Sequence, residues 1–151
     1  MNRIFTILCA ALLLSACGSY ESFQNEATKE YSSEQMKKFA KYMIQGKTLY
    51  TSYCSNCHQA DGAGLGKVYP PLAKADYMLT DMSRSLCIIK NGMQGEIKVN
   101  GVLYSQKMPD NNSLTDLEVA EIATYINNSW GNAKGLVSVK TVQKSLANCK
   151  D

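Results

Sequence analysis

The only histidine in this 151-residue chain, His58, stands directly after a Cys-x-x-Cys pair, in the run Cys54-Ser55-Asn56-Cys57-His58. Three chemistries use cysteines at that spacing. Dithiol exchange works through a thiol of lowered pKa and belongs in a βαβ setting, whereas the residues before Cys54 carry a helical pattern. A structural zinc site needs about four ligands, and the cysteines that remain downstream, Cys87 and Cys149, are far away in sequence. Covalent attachment of a haem employs all three residues together. The two thiols form thioethers with the vinyl groups, and the imidazole one position on reaches the iron from the same side. The motif therefore predicts one covalent haem c and its iron, held by Cys54, Cys57 and His58.

The other face of the iron decides what such a centre can do. With no second histidine in the chain, a second imidazole from this polypeptide is excluded. Six methionines follow the first seventeen residues. Met108 is the leading candidate, because Pro109 stiffens its loop and the fifty residues after His58 give the chain room to wrap the haem edge. Met78 and Met93 are rivals. The helical spacing sends Met82 into the core, the usual task of a methionine. Thioether ligation favours the reduced iron, raises the potential and closes the site to small molecules.

The elements that position these groups begin after a leader. Arg3 and the apolar run Ile4–Leu14 read as an export signal. The run is too short for a bilayer, which takes about 20 apolar residues. Leu14-Ser15-Ala16-Cys17 resembles the lipobox of bacterial lipoproteins, the alternative being a plain secretory signal. The lipobox reading predicts a signal peptide over 1–16 and a lipid on Cys17 that anchors the protein to a membrane, facing the periplasm. No aspartate follows Cys17, which leans toward the outer membrane by the enterobacterial sorting pattern, and the choice of membrane stays open. Loss of Arg3 with the leader leaves 15 basic against 13 acidic residues, and Arg84 is then the sole arginine. That balance excludes nucleic acid as a partner. Cys87 and Cys149 are left over in an exported chain, which predicts a disulfide; the alternative is two unpaired thiols.

Residues 17–32 read as a lipidated terminus and flexible linker that holds the domain about 20 Å from the lipid. The domain spans 33–151, with a C-terminal extension from about 133. Ser32 and Gln35 have capping-box spacing. Phe39, Tyr42, Met43, Gly46, Leu49, Tyr50 and Tyr53 then form one helical stripe, and a glycine inside it marks a close helix crossing. Thr80–Asn91 is predicted as a helix turning Met82, Leu86 and Ile89 inward and closed by Gly92. The run 91–101 is predicted as a loop with one short extended piece. A last main helix is predicted from Ser113, with Val119, Ile122, Ala123 and Ile126 inward, and a short helix follows Ser138.

Gly46-x-x-x-Tyr50-x-x-x-Cys54, CSNCH, YPPLA, VNGVLYSQKMP and TYINNSWGN together resemble a class I, single-haem cytochrome c. They are most similar to the small modules of bacterial respiratory dehydrogenases and oxidases. The resemblance implies an all-α cytochrome c fold of three main helices around the haem, the first and last crossing at Gly46 and Tyr125. It implies that the Pro70 carbonyl accepts a hydrogen bond from His58. It places Tyr104 and Trp130 near the haem propionates, against ordinary core packing as the alternative. Gln59 departs from the glycine many members carry. The implied activity is one-electron transfer between a redox protein donor and acceptor, without catalysis or a small-molecule substrate. Alternatives are a haem enzyme or gas sensor whose methionine leaves the iron, and a fixed subunit of a dehydrogenase or oxidase complex. Lys67, Lys74, Lys90, Lys98 and Lys107 fall in segments expected around the haem edge, as partner-steering charges or as a solvated face.

Overall fold

Ser32 begins the first helix as the spacing requires: its side chain accepts from the Gln35 amide, and Gln35 reaches back to the Ser32 amide. The computed structural model describes residues 23–149. The leader, Cys17 and the first part of the linker lie outside these. Helix α1 spans Ser33–Tyr53, and the short helix α2, Ser55–His58, follows it after Cys54. Helices α3 (Asp76–Leu79) and α4 (Met82–Asn91) come next, then strands β1 (Ile97–Val99) and β2 (Val102–Tyr104), and finally α5 (Asp116–Ile126) and α6 (Val139–Leu146). Among the described residues no helix is long and apolar enough to cross a membrane.

The α1–α5 crossing organises the fold. A Cβ placed on Gly46 would lie 2.1 Å from the Glu121 carbonyl oxygen and 2.8 Å from Tyr125 Cβ. Only glycine lets the two backbones approach so closely. Around that contact, Leu49, Tyr50, Leu86, Val119, Ile122, Ala123 and Ile126 are buried in one core.

Four local expectations need correction. Helix α5 is capped by Thr115, not Ser113, because Glu118 can close a full capping box with Thr115: its carboxylate takes the Thr115 amide at 2.7 Å. The helix expected over 80–91 begins two residues later, at Met82. Asp81 caps α4 through the Arg84 amide, and the preceding turn is the separate α3. The expected loop contains an antiparallel hairpin, β1 with β2, pairing Ile97 with Tyr104 and Val99 with Val102. Its Asn100-Gly101 turn has positive φ at both residues, the geometry that matches strand twist.

The linker is corrected over residues 23–32, which dock on the domain. Asn25 caps a 3-10 turn at Glu26–Thr28 and donates to Asn128 Oδ1 at 3.0 Å. Tyr31 packs edge-on against Phe39, and its hydroxyl accepts from the Leu136 amide at 2.9 Å. This arm covers a second core of Met36, Phe39 and Met43. The C-terminal extension is equally attached: Val137 and Val142 are buried, and Cys87 on α4 is bonded to Cys149, with a sulfur–sulfur distance of 2.04 Å.

Candidate functional site

Helix α1 ends where the motif begins. The Cys54 amide still bonds back to Tyr50, and the single turn of α2 carries Cys57 and His58 onto the wall of a cleft. The cleft encloses about 980 Å³, part of it open to solvent. Pro70, Leu72, Met78, Ile89, Val99 and Tyr104 contribute to a wall that is almost wholly apolar.

His58 is buried, and its Nδ1 lies 2.9 Å from the Pro70 carbonyl oxygen. A carbonyl only accepts, so Nδ1 carries the proton and Nε2 keeps its lone pair. Burial lowers the imidazole pKa, with the Pro70 bond acting in the opposite sense. A neutral ring held in one tautomer is the state a metal ligand requires. The Pro70 carbonyl is itself fixed by the loop around it. Leu65 donates to Tyr69, and Leu72 and Ala73 both donate to the Gly62 carbonyl. Asn132, buried, ties that loop to α5 by donating to the carbonyls of Leu72 and Ile126 while accepting the Lys74 amide.

The Cys54 thiol does not suit dithiol chemistry. Burial, and then Cys57 beside it, push the Cys54 thiol up to about 12, whereas a redox nucleophile needs a lowered value. Zinc is no better served, since Cys87 and Cys149 are consumed by their own bond. A flat, apolar macrocycle fits: the cleft supplies an apolar lining, two thiols at its wall for thioether bonds, and one oriented imidazole. When bound, the haem supplies a one-electron change at iron. The chain anchors it through Cys54 and Cys57, orients the imidazole through Pro70, and shields it with the apolar wall.

Met108 reaches the same cleft, as do Met78 and Met93. Met93 and Met108 are backbone partners, each amide donating to the other's carbonyl at 3.0 Å. The Tyr77 hydroxyl lies 4.0 Å from the Met93 sulfur. Met82 instead packs against the core, where Asn127 Nδ2 approaches its sulfur at 3.6 Å. Tyr104 lines the cleft, buried, with its hydroxyl 3.5 Å from the Gly66 carbonyl. Trp130 is not among the residues that line it. Its ring sits among Tyr50 and Tyr125, with centroids 5.1 and 5.5 Å away, and over Gly62. These neighbours give the core packing named as the alternative.

Sequence reasoning missed Tyr77, Gln106 and Asn132. Arg84 lies over the Tyr77 ring, 3.8 Å from its centroid, and donates to the Tyr77 carbonyl. Asn132 was legible only as part of TYINNSWGN, with nothing in its spacing to assign a role. The five lysines also separate. Lys107 lines the cleft, Lys67 and Lys98 are exposed, Lys74 lies along Gly131, and Lys90 bonds to loop carbonyls.

Comparison with known proteins agrees with this geometry. The sequence pattern of the family described as Cytochrome c matches residues 43–130. Cytochrome c-552 of Thermus thermophilus is 32% identical over 99 residues, 63% of this chain and 75% of that protein. The cytochrome c subunit of the quinone alcohol dehydrogenase of Gluconobacter oxydans is 33% identical over 101 residues, 66% of this chain. The cytochrome subunit of fructose dehydrogenase from Gluconobacter japonicus is 29% identical over 109 residues, 70% of this chain. The chain spans 21% and 22% of those two longer subunits. Matched by the family pattern over more than half its length, and built around the same attachment motif, the chain belongs to the cytochrome c family and is an electron-transfer module carrying covalently attached haem c.

Proposed function

We propose that this cytochrome c is a membrane-tethered, periplasm-facing one-electron carrier of a respiratory chain, with its iron between His58 and Met108 and a lipid on Cys17. The observation that carries the ligand assignment is the His58–Pro70 bond in a cleft that also receives Met108. It leaves Nε2 as the imidazole's metal-facing atom, and a thioether on the remaining face fills the coordination sphere. The leader and Leu14-Ser15-Ala16-Cys17 support export and lipidation. A redox protein donor and acceptor are the partners, and the membrane is reached through the lipid.

Spectra of the purified holoprotein in both oxidation states test this, through the thioether-shifted bands and the red sulfur-to-iron absorption of the ferric form. Replacing Met108 with alanine is expected to abolish that absorption and lower the midpoint potential by on the order of tenths of a volt. An unchanged potential transfers the role to Met78 or Met93. Rapid, complete carbon monoxide binding by the ferrous parent protein at neutral pH would instead support the open-site sensor or enzyme.

A second reading is supported by the likeness to named dehydrogenase subunits: a fixed electron-transfer subunit of a larger complex. Stoichiometric co-purification with a dehydrogenase in mild detergent selects that reading over a free carrier.

A further inference from the structure

The segment after Met108 is held by the last turn of α4 through contacts that the haem does not make. Met93 and Met108 exchange two backbone bonds. Gly92 sits so close beneath that a Cβ on it would meet the Met108 carbonyl oxygen at 2.5 Å and the Asp110 nitrogen at 2.7 Å. Asn111 donates its amide to the Lys90 carbonyl and its Nδ2 to the Ile89 carbonyl, each at 2.9 Å. These are carbonyls that a helix C-terminus leaves without partners of its own. Lys90 turns its ammonium from the helix onto the loop, donating to the Asn112 carbonyl at 2.8 Å and to the Leu114 carbonyl. Leu114 is buried, so the far end of the segment is fixed as well.

We propose that Lys90, with Asn111, is a positioning residue for the sixth ligand: a charged latch that keeps the Met108 loop closed over the iron. The proposal rests on the assignment of Met108 as that ligand. The latch works through the closed population. An exogenous ligand binds the ferric iron only when Met108 is away, so its apparent affinity is its intrinsic affinity multiplied by the open fraction. Hydrogen bonds from an ammonium are among the stronger ones in a protein. Losing two of them in the closed state alone raises the open fraction by about tenfold or more.

Imidazole titration of the ferric holoprotein reads that fraction. Lys90→Gln is expected to tighten apparent imidazole binding by about tenfold, and Lys90→Arg to return it to within about twofold of the parent. Met108→Ala sets the limit reached when the loop contributes no ligand. Two controls separate the latch from general weakening. Lys98→Gln removes a charge from β1 and leaves imidazole binding unchanged. Met36→Ala lowers the unfolding midpoint from the second core and also leaves it unchanged.

Parental imidazole affinity in Lys90→Gln overturns the latch, whatever Met108→Ala shows. Parental affinity in Met108→Ala overturns the ligand assignment and the latch with it. Asn111→Ala keeps the ammonium and removes the other half of the latch, so it decides the matter should Lys90→Gln fail to accumulate. A tightening of several-fold supports the proposal, and none refutes it.

Discussion

Gln59 occupies a backbone conformation, φ 62° and ψ 159°, that side-chain-bearing residues rarely adopt. It does so one position after His58. The Tyr50 hydroxyl donates to its carbonyl at 2.5 Å, and its own amide donates to Ser55, so the strained peptide is held from both ends. Burial raises the Tyr50 pKa, which keeps the phenol a donor at any working pH. The departure from glycine noted in the sequence thus carries a cost of about 1–3 kcal/mol. Gln59→Gly should relieve it, offset in part by the greater freedom of an unfolded glycine. The expected net gain is about 1 kcal/mol in denaturant unfolding of the ferric holoprotein. A loss of stability would mean that the Gln59 Nε2 bond to the Asn56 carbonyl, 3.3 Å long, outweighs the strain.

Among the elements, the α1–α5 pair carries the firmest expectation. With a backbone oxygen 2.1 Å from the added carbon, Gly46→Ala forces the helices apart rather than shifting a side chain. Overpacking of this kind costs about 3 kcal/mol or more, to be read in the unfolding midpoint by circular dichroism. A midpoint near the parent's would show that the crossing is not rigid. This contact was legible because it is written locally, as a glycine inside an apolar stripe. The caps at Ser32, Gly92 and Ser138 were legible for the same reason. The hairpin was announced by Asn100-Gly101, but strands of three residues are too short for alternation to stand out. Two cap residues two positions apart, Ser113 and Thr115, could be ranked only by noticing that Glu118 reaches Thr115. Within the site, CSNCH and Pro70 followed from motif and resemblance. Trp130 and Lys90 did not, because their partners lie far away along the chain.

On the scale of the molecule, two regions divide the work. One is the cleft with its core; the other is the second core, closed by the docked arm and the start of the C-terminal extension. None of Phe23, Tyr31, Met36, Phe39, Met43 and Leu136 lines the cleft. Tyr31→Ala removes an edge-on aromatic contact and a hydrogen bond, which should cost about 2 kcal/mol of stability while leaving the visible spectrum and midpoint potential unchanged. A shifted potential would show that the two regions are coupled. The arm also alters the geometry of any anchor. Fifteen residues stretched straight would reach about 50 Å, whereas the six steps from Cys17 to the docked Phe23 reach about 20 Å at most. With the lipid proposed at Cys17, so short a leash would hold the haem domain in a thin layer above its own bilayer. Its effective concentration would then be high toward redox neighbours embedded in that same sheet of lipid and very low toward any on the facing membrane.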